Sequence, residues 1–99
     1  MDELWAWTGF DWDDGNSEKN WLTHRVRRSE CEQVLLSQPL IVAQGQLLED
    51  REVRYLAMGE TGAGRRLFLV FTIRGNLVRV ISARDMSRQE RSVYESGTE

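Results

Sequence analysis

Arg66-Leu67-Phe68-Leu69-Val70-Phe71-Thr72-Ile73, then Arg74-Gly75-Asn76, then Leu77-Val78-Arg79-Val80-Ile81-Ser82-Ala83, written RLFLVFTIRGNLVRVISA, is the stretch that decides the fold. β-branched and aromatic residues dominate both runs, and a two-residue Gly-Asn connection between such runs marks a tight hairpin. This connection pairs Ile73 with Val78, Phe71 with Val80 and Leu69 with Ser82 on one face, and Thr72 with Arg79 and Val70 with Ile81 on the other. A three-residue loop would set Arg79 opposite Phe71, on the face that collects the large apolar side chains, so the two-residue register is preferred. One face is then strongly apolar. The other is mixed, with Arg66, Arg74 and Arg79 standing among Phe68, Val70 and Thr72. Basic groups interleaved with apolar ones suit single-stranded nucleic acid and a protein partner equally.

Downstream, Ser87-Arg88-Gln89-Glu90 has the spacing of a capping box, which predicts a helix over residues 88–95 with Gly97 available to stop it. Glu90, Arg91 and Tyr94 lie on neighbouring parts of its surface. If the helix folds back over the mixed face, Arg79, Arg84, Glu90, Arg91 and Tyr94 converge. Upstream, residues 4–10 read as an aromatic-rich strand and residues 16–24 as a helix. Ser29-Glu30-Cys31-Glu32 is a second capping box, opening a helix that carries Val34 and Leu35 and ends before Pro39. Residues 40–43 read as a strand, 45–50 as a connection and 53–58 as a strand. The sum is α+β: a largely antiparallel sheet packed with two N-terminal helices and a short C-terminal helix, in one domain spanning 1–99.

Composition narrows the setting. Ninety-nine residues with 40% hydrophobic content make a single core. The one cysteine excludes an intrachain disulfide, so a reducing compartment, the cytoplasm, is expected. The opening MDELWAWTGF lacks a basic n-region followed by an apolar run, and LFLVF is far short of a bilayer span, so no membrane role is expected. The formal net charge of -3 hides an asymmetry. Residues 65–91 hold Arg65, Arg66, Arg74, Arg79, Arg84, Arg88 and Arg91 against only Asp85 and Glu90. Arginine's planar fork binds phosphate or carboxylate bidentately, which favours an anion site or a charged interface, and a solvated face carrying arginine from compositional bias stays open beside it.

Phe10-Asp11-Trp12-Asp13-Asp14-Gly15-Asn16, Lys19-Asn20-Trp21, His24, Arg51, Tyr55-Leu56-Ala57-Met58-Gly59, Gly64-Arg65-Arg66-Leu67, Val70-Phe71-Thr72, Arg79-Val80-Ile81-Ser82-Ala83-Arg84, Glu90-Arg91 and Tyr94-Glu95 follow one another in an order and spacing that resembles the BrnT family of bacterial toxins. The most specific pieces are FDWD…KNW..H and R.ISAR…ER..YE. The resemblance implies a RelE-like fold and a ribonuclease toxin of a type II toxin-antitoxin pair that cleaves RNA and arrests translation. It also implies a BrnA-type antitoxin that neutralises the toxin and carries the DNA-binding domain, so that operator DNA is contacted only through the antitoxin. A dimer or a heterotetramer with the antitoxin are the assemblies it brings into view. One departure stands out: the family usually has Lys-His-Gly where this chain has Thr23-His24-Arg25, which predicts a reshaped loop after the first helix.

Metal-independent RNA cleavage uses the 2′-hydroxyl as nucleophile and needs a proton acceptor, a stabiliser of the phosphorane and an acid for the leaving 5′-oxygen. Residue type assigns Arg79 and Arg84 to the phosphate, His24 or Glu90 to proton transfer and Tyr94 to hydrogen bonding or stacking. Arg65, Arg66, Arg74 and Arg91 are candidates for the RNA backbone. Duller roles compete: a helix C-terminus for His24, the capping box for Glu90, packing for Tyr94. No cofactor or metal is expected. Cys31 lacks a ligand partner at metal spacing, and Asp11, Asp13 and Asp14 fit a helix N-terminus better than a calcium loop. Gly59, Gly62 and Gly64 read as a turn, since no Lys-Ser or Lys-Thr follows them. Trp5, Trp7, Trp12 and Trp21 read as core and interface residues. A second function class stays open: a catalytically silent interaction module whose arginine face receives an acidic antitoxin segment.

Overall fold

In a computed structural model that describes residues 7–37, 39–47 and 53–97, the hairpin is made by β4 (Arg66–Arg74) and β5 (Leu77–Asp85). Gly75 takes φ 61°, the positive value a two-residue turn with glycine first requires, and Arg74 faces Leu77 across it. Ile73 pairs with Val78, Thr72 with Arg79 and Phe71 with Val80, as the two-residue loop predicts. The register then slips at a β-bulge, correcting the rest of the expected pairing: Val70 faces Ser82 and Leu69 faces Ala83. The extra residue at Ile81 sends fully buried Ala83 into the core in place of Ser82, whose hydroxyl would need a partner there. It also turns Arg84 onto the face opposite the core, beside Phe68.

The remaining elements are β1 (Gly9–Phe10), α1 (Asp14–His24), α2 (Arg28–Leu36), β2 (Leu40–Leu47), β3 (Val53–Glu60) and α3 (Arg88–Gly97). The sheet order is β1-β5-β4-β3-β2, antiparallel except where β1 runs parallel to β5. Of the expected strand over 4–10, only Gly9–Phe10 pairs, and residues 4–6 lie outside the described part. β2 continues through Leu47, past the expected end at 43 and into the expected connection, of which 48–50 are outside the described residues. β3 also runs on, to Glu60, so Gly59 is a strand residue and not part of the turn. A Cβ there would fall 2.7 Å from Val34 Cγ1, so glycine is what lets α2 lie close on β3.

One core lies between α2 and a single sheet face. Val26, Cys31, Val34 and Leu35 pack with Ala57, Leu67, Leu69, Phe71, Val78, Val80 and Ala83, all buried. Burial pushes the Cys31 thiol up to about 12, which leaves it an inert packing group. α2 begins earlier than its expected cap: Arg27 N–H donates to Glu30 Oε1 at 3.0 Å, and Ser29 lies within the first turn. Glu32 is thereby free to accept from Trp12 Nε1 at 2.7 Å. Trp7 and Trp12 pack against the core, and Trp5 is outside the described residues.

α1 does the work of a missing strand. Asp13 caps it, accepting from Asn16 N–H at 3.0 Å while its own N–H donates to Asn16 Oδ1 at 2.8 Å, which places the acidic group at a helix N-terminus. Past the short β1, the edge of β5 has unpaired backbone groups. Asn16 Nδ2 donates to Val80 O at 3.2 Å, and Ala83 N–H donates to Asn20 Oδ1 at 3.0 Å, on either side of the bulge. The two asparagines are four apart, so one helix face presents both. α1 ends at Arg25, which adopts φ 57° and ψ 39°. Arg25, where the family usually has glycine, takes the left-handed conformation that glycine makes without strain. Among the described residues no helix is long and apolar enough to cross a membrane.

Candidate nucleic-acid interface

Strand registers order the second sheet face, the one away from α2. Arg54 pairs with Thr72, and Thr72 with Arg79; Leu56 pairs with Val70, and Val70 with Ser82; Met58 pairs with Phe68, and Phe68 with Arg84. The face therefore carries one row with arginine at both ends, an apolar middle row that ends in Ser82, and a third row that ends in Arg84. α3 lies across the Phe68 end, contacting β3 and joined to the sheet through Arg66 and Arg84.

At that end the arginines are held by carboxylates. Arg84 stacks 4.5 Å over the Phe68 ring and forms a fork with Glu90, Nη1 to Oε1 at 2.7 Å and Nη2 to Oε2 at 2.9 Å. Glu90 simultaneously completes the capping box, accepting from Ser87 N–H at 2.8 Å while Glu90 N–H donates to Ser87 Oγ at 3.1 Å. These contacts, the Arg84 hydrogen bonds foremost, draw the Glu90 carboxyl down to about 2. Arg66 binds Glu60 at 3.1 Å and Glu95, with its guanidinium 5.7 Å over Tyr94. Arg91 is exposed and lines a cavity of about 480 Å³ with Gly64, Arg66, Asp85 and Met86.

Arg65 serves the opposite layer. It holds Asp85 at 2.8 Å and Glu30 at 3.1 Å, and donates to the carbonyls of Arg25 at 2.8 Å and His24 at 3.2 Å. It ties the end of α1 to α2 and β5, and its guanidinium holds the Asp85 carboxyl below the usual carboxylate range. The His24 imidazole stands close enough to Asp85 to add to that effect.

At the other end, Arg79 meets Asp13 at 2.9 Å and Asp11 at 3.5 Å. It lines an open groove of about 680 Å³ together with Asp13, Asp14, Gly15, Asn16, Lys19, Arg54, Arg74, Val80 and Ile81. The fold thus brings Arg84, Glu90, Arg66 and Tyr94 together and sets Arg79 with Arg74 elsewhere on the same face. Their β4 partners, Phe68 and Thr72, are four residues apart, about 13 Å at roughly 3.3 Å per residue. Convergence of all five expected site residues does not occur, because α3 crosses one end of the face only. Two groove residues escaped the sequence reading. Lys19 and Arg54 lie outside the arginine-rich segment, and Arg54 is legible only from the β3–β4 register that sets it on the Thr72–Arg79 row.

Residues 12–90 match the family model described as "Ribonuclease toxin, BrnT, of type II toxin-antitoxin system". The chain belongs to this family. BrnT membership puts it on the toxin side of a type II pair. The fold is also similar to the crystal structure of the Brucella abortus ribonuclease toxin BrnT, with a TM-score of 0.62 at 20% sequence identity, over 82% of this chain and 99% of that one. Comparison with curated protein sequences gives no match. The mixed sheet face and the Arg79–Arg84 segment both fall within the matched region.

The Glu90 geometry carries a pH prediction. A carboxyl whose folded value lies near 2, against 4.5 when unconstrained, contributes stability that is fully present above about pH 4.5 and is lost as pH falls through about 2. Thermal melts from pH 6 down to pH 2 should therefore show a falling midpoint, and the fall should be shallower in Glu90→Gln. Parallel curves for the two proteins would mean that the Arg84 fork does not contribute.

Proposed function

We propose that this chain is a metal-independent endoribonuclease toxin that cleaves RNA and thereby arrests translation, and that a BrnA-type antitoxin neutralises it. The observation that carries the reading is the sheet face away from the core, where Arg54 and Arg79 end one row, Arg84 ends another and Leu56 and Val70 lie between them, in a chain of the BrnT family. Such a face offers stacking surface to bases and forked donors to phosphates. In the reaction the 2′-hydroxyl gives its proton to a base and attacks the adjacent phosphorus. The P–O5′ bond breaks, a 2′,3′-cyclic phosphate forms, and the 5′-oxygen takes up a proton. Of Arg79 and Arg84, about 13 Å apart along the face, one supplies countercharge to the phosphorane without a metal ion and the other holds flanking backbone, while Tyr94 stacks or donates and Arg66, Arg74 and Arg91 extend the positive field. For proton transfer His24 is the candidate that residue type leaves, although it stands with Arg65 and Asp85 in the opposite layer and not on the arginine face. Glu90 is bound at both oxygens, and a carboxylate drawn down to about 2 has little drive to take a proton near neutrality.

Incubation of a defined RNA with the purified chain, with and without EDTA, tests this. Cleavage that EDTA leaves intact, with cyclic-phosphate ends on the products, is the expected result; cleavage abolished by EDTA and restored by a divalent ion would overturn the metal-free chemistry. One observation favours the silent interaction module as a second reading: Arg65, Arg66, Arg79 and Arg84 all have carboxylate partners already. On that reading the folded chain leaves RNA intact yet binds its antitoxin with little dependence on salt, because an apolar-centred interface releases few counterions.

A further inference from the structure

Arg54 is the odd member of the basic set. Among the buried side-chain nitrogens and oxygens of the described residues, its Nε is the one without a hydrogen-bond partner. Buried donors are almost always satisfied, so an exception calls for an acceptor that binds from outside or for a strained site. Arg54 lines the groove at the α1 N-terminus, where Arg79 stands beyond Thr72 on the same row and Arg74 and Lys19 complete the basic lining. Asp13 and Asp14 also line it. Asp13 is engaged by Arg79 and caps α1, whereas Arg54 and Lys19 meet no carboxylate among the described residues. The neighbouring Thr72 hydroxyl is committed elsewhere, donating to Val53 O at 2.8 Å.

Resting on the ribonuclease reading above, we infer that Arg54, with Lys19 and Arg74, forms a subsite for an RNA backbone phosphate beside Arg79, and that the phosphate draws the Arg54 guanidinium into the groove, where its buried Nε gains the acceptor it lacks. A phosphodiester brings two unesterified oxygens in the spacing a guanidinium matches. The groove is open, so a strand can enter along the sheet face beside Arg79 and continue toward Val70, up to the end that α3 and Arg84 cover. Arg54 is a substrate-positioning residue; the reacting bonds need not be at its end of the face.

The test is equilibrium binding of a short 2′-O-methyl RNA, which has no free 2′-hydroxyl and cannot be cleaved, by fluorescence anisotropy across a salt series. The wild-type chain, Arg54→Gln and Arg54→Lys are compared, each checked for a cooperative melt. Arg54→Gln should bind about tenfold more weakly, and its slope of log affinity against log salt should be shallower by about 0.7, as expected when one phosphate of a single strand is no longer neutralised. Arg54→Lys should keep the wild-type slope and still bind several-fold more weakly, since it restores the charge and not the fork. Arg54→Gln binding as the wild type does, at the same slope, overturns the subsite while leaving the ribonuclease reading standing. If Arg54→Gln does not fold, unchanged affinity in Arg54→Lys overturns it. Failure of the wild-type chain itself to bind RNA overturns the ribonuclease reading, and the subsite falls with it.

Discussion

Asn20→Ala should lower the melting temperature by roughly 10–15 °C, which corresponds to about 2 kcal/mol in a domain of this size. Asn20 is 2% exposed, and its amide links two elements: Oδ1 accepts from Ala83 N–H at 3.0 Å, and Nδ2 donates to Asn16 O at 2.9 Å. Alanine leaves the Ala83 N–H buried beside the bulge with no acceptor, and an unmade buried hydrogen bond costs more than a made one contributes. The effect should be large for a single polar residue because water has no access to Ala83, which is fully buried. Differential scanning calorimetry of the variant beside Ser17→Ala, an α1 residue whose hydroxyl makes no hydrogen bond among the described residues, isolates the contribution. A midpoint within about 2 °C of the wild type would show that the β5 edge is satisfied without α1.

The Arg79→Ala, Arg84→Ala double variant should lose RNA cleavage by at least about a hundredfold, the scale on which removing a single charge-stabilising donor from a transition state is felt. Arg79 and Arg84 close two rows of one sheet face, so both act on one strand lying along it even though they do not touch the same atom. Arg79→Ala also releases Asp11 and Asp13, and Arg84→Ala releases Glu90, so folding must be checked by melting before the rates are compared. The single variants separate the roles. The position that holds the scissile phosphate should lower kcat, whereas one that holds flanking backbone should raise KM with kcat little changed. Full activity in the folded double variant would remove both arginines from the chemistry and leave them as an interface for the antitoxin.

Structure is most legible in the sequence where local rules operate. The hairpin turn, the Ser87–Glu90 cap and the Pro39 stop each depend on residues close in the chain, and each appears where local geometry requires it. Element ends are less legible, as at β2 and β3, where strand length depends on what a neighbouring strand offers for pairing. The bulge was not legible. Nothing in Val80-Ile81-Ser82-Ala83 announces that Ile81 is the extra residue, because the preference for Ala83 over Ser82 in the core exists only once α1 and α2 are in place. The family resemblance was legible across nearly the whole chain, and membership follows from residues 12–90.

Sequence alone therefore determined the α+β class, the apolar hairpin face, the collection of arginines in the C-terminal half and kinship with the BrnT toxins. Tertiary structure decided which arginines are committed. Arg65 looked like an RNA ligand by type, yet it is spent on Glu30, Asp85 and two helix-end carbonyls. Arg54 looked like part of an ordinary strand, yet it stands on the Arg79 row with a buried unsatisfied nitrogen. The reason is physical: a side chain's type sets what it can bind, while the carboxylates and carbonyls that fold up beside it set what it is left to bind.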